Sequence, residues 1–461
     1  MPLSTRSRDA LQHYEQAVAL SAGYFFDPMA AIDRALEADP HFAMGHCVRA
    51  GLLLTTTDRS HLQPLRASIE AVEGLGKRAN DRERAHAAAA RKWLQGDFAG
   101  SVRAYGEILL DYPRDLFALQ IAHVGDFFLG HSTLLRDRIA QVLPHWDASV
   151  PGCGFVFGMH AFGLEECAAY SQAEDAGHRA LEFNRRDPWA IHAVAHVMES
   201  TGRIRDGIEW LSEREQDWSV ENGFAYHNWW HLALYHLDLG DSARALDVYD
   251  HKLRATPATA PLEMLDASAM LWRLFVRGVD VGSRWNGLAE TWAPLAEDAY
   301  YAFNDVHAVM AFVGANRLDL AETTIGALER KALSNDTNAM MSRDVGLPLA
   351  KAWVAFGTGH YEAAINLLLA VRPIANRFGG SHAQRDVVHL TLIEAALRAG
   401  RPRLARALAA ERTQLKPTSP FNWQLTARAL ELSGDLGSAV KANEKAEIRR
   451  KAQHINYRDV A

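Results

Sequence analysis

Cysteine is almost missing from this chain. Cys47, Cys153 and Cys167 are the only three in 461 residues, too few and too unevenly spaced for a disulfide framework or a cysteine-ligated zinc site. They read as small buried hydrophobes in a reducing compartment. Long apolar runs are also lacking: no stretch approaches the roughly 18 uncharged apolar residues of a membrane span, and the opening Met1-Pro-Leu-Ser-Thr-Arg-Ser-Arg-Asp9 reaches no apolar signal core. The expectation is a cytoplasmic protein with no membrane partner. A concentrated basic block is absent too, and the formal charge is -7. Phosphate backbones demand clustered Lys and Arg, so nucleic acid is not expected as a partner. No glycine-rich phosphate loop, no G-x-S-x-G elbow and no CxxC pair occurs, which removes the common nucleotide, serine hydrolase and redox readings.

What the chain does have is core material, with 48% hydrophobic and 23% charged residues, and internal repetition. A helical stretch, a short Gly/Asp/Asn turn and a second helical stretch ending near proline recur with a period of roughly 34 to 43 residues. The clearest copy runs from Leu232 through Gly240-Asp241 to Tyr249 and Pro257, with small Ala and large Leu/Tyr positions alternating at helical spacing. Comparable copies are Trp93 to Pro113 around Gly96, Ala352 to Pro373 around Gly357 and Gly359, Ala395 to Pro417 around Gly400, and Ala429 onward around Gly434. Degenerate copies fill most of the remainder.

The pattern resembles the tetratricopeptide repeat, a helix-turn-helix unit with small residues where its helices cross. The expected fold class is therefore all-α, a right-handed α-α superhelical solenoid of about ten helical pairs. It is read as a single array over residues 1–461, with 445–461 as a C-terminal capping segment. Thr256 to Glu263 and Ser334 to Gly346 read as loops between pairs. Over most of its length the chain also resembles the tetratricopeptide repeat protein 38 family, chiefly through Ala190 to Gly202 and Tyr226 to Asp241. That resemblance implies a fold and attaches no secure activity. The repeat itself implies a protein or peptide binder whose first helices line a concave groove.

Those two segments also carry the chemistry. His192-Ala-Val-Ala-His196-Val-Met-Glu199 and His227-Asn228-Trp229-Trp230-His231 each place imidazoles at i and i+4, where side chains share a helical face. His192, His196 and Glu199 fall within roughly 40° of one another, whereas His236 is turned about 180° from His227 and is left out of the site. Such imidazoles can hold a metal, move a proton or grip an anion. Other first helices offer His123 with Asp126, His160 with Glu165, Asn304 with His307, and His382, Arg385 and His389. Arg385 is the inward cation by pattern, either gripping a ligand carboxylate or pairing with Asp386.

The plainest alternative is packing, since a helical histidine is commonly a hydrogen-bonded core residue. Trp229, Trp230, Trp272, Trp353 and Trp423 read mainly as interhelical packing, with Trp229 or Trp230 able to close an apolar wall. Asp81 to Arg84 and Lys445 to Lys451 read as solvated faces. The favoured function is binding of a small polar molecule or a peptide end in a His-rich concave cavity. His192, His196, His227 and His231 are the core contacts, and Glu199, Asn228, Trp230, Asn304, His307 and Arg385 the surrounding shell. The alternative is a metal-dependent or His-based enzyme, plausibly a hydrolase. There the same four histidines hold a zinc-like divalent ion and Glu199 is the general base on a bound water. No other cofactor is implied. A plain protein-protein scaffold is the third reading. The HxxxH spacing lacks the adjacent Glu of HExxH metalloproteases, and few carboxylates lie in sequence beside the second pair.

Overall fold

A computed structural model describes residues 1–453. Among them every regular element is a helix, and the one β pairing is an isolated antiparallel bridge between Phe25 and Asn222. The fold is all-α and built from tetratricopeptide-like helix pairs.

The turns show why the pairs form. Gly240 has φ 83°, a left-handed conformation that costs residues with a Cβ a steric penalty. Its N–H donates to the Leu237 carbonyl at 3.0 Å, and the N–H of Asp241 donates to the His236 carbonyl at 2.9 Å. Both bonds satisfy carbonyls left over at the end of the helix. The Asp241 carboxylate then accepts from the Arg244 N–H at 3.0 Å and so caps the next helix. One Gly-Asp dipeptide closes a helix and opens its neighbour. Gly96-Asp97 and Gly434-Asp435 repeat the arrangement, with Asp97 accepting from Gly100 at 2.8 Å and Asp435 from Ser438 at 3.2 Å.

The chain divides into two compact units. The first comprises Met1–Val194, Asp217–Ala225 and Ser334–Met340; the second comprises Ala195–Gln216, Tyr226–Leu333 and the chain from Met341 onward. The division falls inside the Pro188–Ser200 helix. In the first unit, Asp115 organises a buried polar cluster. Its Oδ2 accepts from Arg82 Nη1 at 2.9 Å and from His86 Nε2 at 2.8 Å, while its Oδ1 caps the Leu116–Phe128 helix through the Ala118 N–H at 3.0 Å. Both oxygens have donors, which is how a buried carboxylate is tolerated.

The second unit packs by pairing small residues with large ones. A Cβ on Gly207 would stand 2.1 Å from the Tyr235 ring, and one on Gly314 would stand 2.3 Å from the Trp285 indole. Only glycine lets those aromatics lie against the opposing backbone. Trp272 and Trp292 are fully buried, with their N–H groups donated to Thr391 at 3.0 Å and Ser268 at 2.9 Å. Trp423 donates to the Pro417 carbonyl at 2.9 Å and lies under Lys445. The Leu436–Ala452 helix contains the first part of the expected capping segment; residues 454–461 lie outside the described residues.

One expected loop is corrected. Ser334 to Gly346 is largely helical: Thr337–Met341 forms a helix that runs through a π turn at Ser342–Gly346 into the Leu347–Gly357 helix. Asp336, which reads as a turn former, instead accepts from the Ala339 N–H at 2.8 Å and starts the helix. Likewise the stretch from Thr256 is helical from Pro261, because proline fits the first helical turn, where its missing N–H is not needed.

Candidate functional site

The site lies in the second unit, on helices whose polar residues point into an otherwise apolar interior. His196 and Glu199 come from Pro188–Ser200, His227 and His231 from Ala225–Leu239, and Asp266 and Arg273 from Pro261–Val276. His196, His231 and Asp266 are at most 1% exposed and His227 is 7% exposed.

Two imidazoles are each gripped from behind by a carboxylate. His227 Nδ1 lies 2.6 Å from Asp266 Oδ2, and His231 Nδ1 lies 3.0 Å from Glu199 Oε2. Because an ionised carboxylate only accepts, both rings donate from Nδ1 and carry their basic lone pair on Nε2. The rings are close and steeply inclined: the His196 and His231 centroids are 4.4 Å apart at 62°, those of His227 and His231 4.8 Å apart at 90°. A ring nitrogen from each of the three lies within 4.8 Å of those of the other two.

Cations surround this group. Lys416 Nζ is 3.4 Å from Glu199 Oε1, and the Arg273 guanidinium stands 5.1 Å over Trp230, whose indole stacks on His227 at 5.3 Å and 13°. Burial drives the His231 imidazole well below the ordinary histidine range, and His196, His227, Arg273 and Lys416 push it the same way. It is a neutral, lone-pair-bearing ring, the form that ligates metals. His307, on the Ala302–Gly314 helix, is pushed down to about 4 by burial. Its Nδ1 donates to the Phe303 carbonyl at 2.7 Å. Among the described residues Trp230 Nε1, Asp266 Oδ1 and His307 Nε2 are buried without a hydrogen-bond partner. Unsatisfied polar atoms are rare in protein interiors, and each calls for a polar partner such as an ordered water or a ligand.

The donor set fits a zinc-like divalent ion. Zinc takes imidazole nitrogens at about 2.0–2.1 Å, and metal-bound histidines commonly donate their other N–H to a carboxylate, as His227 and His231 do. Nitrogens on one tetrahedral ion stand about 3.4 Å apart, a spacing inside the 4.8 Å that bounds the group.

The remaining sequence-derived residues distribute as follows. His192 sits one turn before His196 on the same helix, at the end of the first unit, where its ring packs against Trp189, Phe162 and Phe224 at centroid distances of 5.2, 5.4 and 5.0 Å. Asn228 and Asn304 are buried. Trp229 is buried beneath Lys252, whose Nζ stands 4.3 Å from its ring centroid. Arg385 is held by the Gly379 and Gly380 carbonyls and His382, while Asp386 pairs with Arg412 at 2.6 and 3.2 Å. The cations that act on His231 are instead Arg273 and Lys416. Glu199 orients His231 and meets Lys416, an arrangement that suits a positioning group better than the water-activating base. His236 stands apart, pushed down to about 4 by burial. In the first unit His123 is pushed down to about 3 by burial, and its expected neighbour Asp126 instead forms a bidentate pair with Arg138 at 2.7 and 3.2 Å. His160 is lowered by burial and Glu165 is buried. His389 stands 3.8 Å from Glu411.

Asp266 and Arg273 were not singled out by sequence pattern. Their signal is nonetheless present: each is a lone charge in the apolar run Met264-Leu-Asp-Ala-Ser-Ala-Met-Leu-Trp-Arg-Leu-Phe275, where a charge without a partner is costly.

No family model matches the chain. Among solved structures it is similar to a human IFIT1 dimer with PPP-AAAA, at 10% identity and a TM-score of 0.41 over 94% of each chain. It is also similar to the APC/C hetero-tetramer Cut9-Hcn1, at 11% identity and 0.36 over 99% of this chain and 96% of that one, and to yeast Tom70, at 12% identity and 0.33 over 98% and 97%. No helix among the described residues is long and apolar enough to cross a membrane.

Proposed function

We propose that the protein binds a small polar molecule at the buried histidine centre, through a divalent metal ion of the zinc class held by His196, His227 and His231. The observation that carries this reading is the pair of carboxylate grips, Asp266 on His227 and Glu199 on His231. They fix the tautomer of two rings that each bring a nitrogen within 4.8 Å of the other, which histidines serving only as packing do not require. The ion, when bound, supplies a Lewis-acidic position for a ligand oxygen or nitrogen. The chain's own part is to hold His231 neutral, keep the surroundings dry and set positive charge nearby on Arg273 and Lys416. Burial of all three rings favours a small ligand over a peptide lying in an open groove. A cytoplasmic setting and membership of the tetratricopeptide repeat protein 38 family accord with this reading, the latter because the same two helices carry both the resemblance and the site.

A second reading is favoured by the 2.6 Å contact between His227 and Asp266. An imidazole backed by a carboxylate is also a general base without any metal. Elemental analysis of the untagged full chain, followed by zinc titration, separates the two. The metal reading expects one equivalent of zinc, lost in a folded His227→Ala/His231→Ala variant. Less than about a tenth of an equivalent, together with no zinc uptake on titration, leaves only the metal-free base.

A further inference from the structure

A second feature of the same unit touches the histidine centre only through Arg273. The C-terminal end of the Pro261–Val276 helix, the His382–Arg398 helix, the Pro420–Leu432 helix and Arg450 enclose a cavity of about 360 Å³. Small-molecule sites span about 300–1,000 Å³, so it is large enough for a metabolite-sized ligand. Its charged lining is lopsided: Arg273, Arg277, Arg428 and Arg450 face a single carboxylate, Glu394.

Glu394 is already engaged. It accepts from Arg398 at 2.8 Å and from both terminal nitrogens of Arg428 at 2.8 and 3.0 Å. Arg450 pairs with Glu447 and donates to the Leu239 carbonyl at 3.2 Å. Arg273 and Arg277 remain, one helical turn apart and thus on one face. Among the described residues neither forms an ion pair. Arg273 donates only to the backbone carbonyls of Ala269, Ala383 and Gln384, and Arg277 only to that of Leu237, at 2.6 Å. The Arg277 guanidinium lies 3.5 Å from the Phe421 ring centroid, and its Nε is buried without a partner. Burial pushes Arg277 down to about 9 although Asp238 acts in the opposite direction, and Arg412 and Arg273 add to the fall. Two guanidiniums that border one cavity and form no ion pair are poised for bidentate capture of an oxyanion.

We propose that this cavity binds a small oxyanion-bearing molecule, a carboxylate or a phosphate ester, with its anionic group against Arg273 and Arg277 and its body against Phe421 and Leu425. Phosphate and carboxylate share the recognition chemistry, so the test uses both. Inorganic phosphate and succinate are each titrated calorimetrically into the full chain at constant ionic strength, with and without a chelator. The expected result is one saturable site for at least one anion, indifferent to the chelator and weakened at least tenfold in Arg277→Met. Binding of phosphate alone assigns the phosphate class, and of succinate alone the carboxylate class. Because loss of a half-buried guanidinium can unfold its helix, Val279→Phe is the companion variant: it fills the cavity, leaves both guanidiniums in place, and is expected to weaken binding to a similar extent. Absence of saturable binding for both anions, full affinity in a folded Arg277→Met or Val279→Phe protein, or binding abolished by the chelator would each overturn the assignment. A chain that takes up no zinc but binds the anion leaves this proposal standing while the metal reading fails.

Discussion

The Nδ1 of His227 and the Oδ2 of Asp266 are 2.6 Å apart in a fully enclosed setting, although the residues are 39 positions apart in the chain. The imidazole is thereby locked in one tautomer by a helix other than its own. Replacing Asp266 with Asn keeps the volume and an acceptor but removes the charge that raises the basicity of the opposite ring nitrogen. Zinc affinity, measured by competition with a chromophoric chelator, is expected to fall about 10–100-fold. An unchanged affinity in Asp266→Asn means that the carboxylate does not tune the ring.

His307 is held neutral by burial, with its pKa pushed down to about 4 from 6.5. The unfolded chain therefore binds more protons between these values, and His307 costs stability progressively as pH falls from about 6.5 toward 4, at about 1.4 kcal/mol per pH unit in the steep part. Urea unfolding of the wild type and of His307→Gln is expected to show the variant losing less stability between pH 6.5 and 4.5. Parallel pH profiles for the two proteins contradict a buried neutral imidazole.

Asp187 has the opposite sign. Its Oδ1 caps the start of the Pro188–Ser200 helix through the N–H groups of Trp189 and Ala190 at 3.0 and 3.1 Å, yet burial raises its pKa to about 7 from 3.8. The folded form favours the neutral acid, so this group's contribution is fully present below the unfolded pKa and is lost as pH rises toward 7 and beyond. Asp187→Asn retains a capping oxygen without the titration. The variant is expected to gain stability relative to the wild type as pH rises from 4 to 8, and a pH-independent difference between them excludes a raised Asp187.

Two helical glycines of the second unit make opposite forecasts. A Cβ at Gly314 meets the Trp285 indole at 2.3 Å, whereas one at Gly287 meets nothing within 4 Å. Gly314→Ala is expected to cost about 1–3 kcal/mol through overpacking, and Gly287→Ala to stabilise by about 0.5–1 kcal/mol through the reduced entropy of the unfolded chain. Chemical denaturation midpoints read both, and equal shifts in one direction rule out the packing argument.

Local features were the legible ones. The Gly-Asp turns at residues 96, 240 and 434 need only their own backbone conformation and the next three residues, so the sequence window contains their whole cause. The facing of His227 with His231 follows equally from helix pitch. Asp266, Arg273 and Lys416 escaped because their meaning depends on which helices meet, and nothing within a few residues of them reports it. Glu199 shares its helical face with His196 and meets His231, but its other partner, Lys416, lies 217 positions away. Arg385 went the other way: its i+3 relation to His382 is real, yet the carbonyls of Gly379 and Gly380 take up its guanidinium.

Because each Gly-Asp joint halts one rod and launches the next with bonds drawn from its own immediate neighbourhood, the hinges are self-sufficient. A module can be duplicated, lost or allowed to drift between two such hinges while the punctuation on either side is undisturbed.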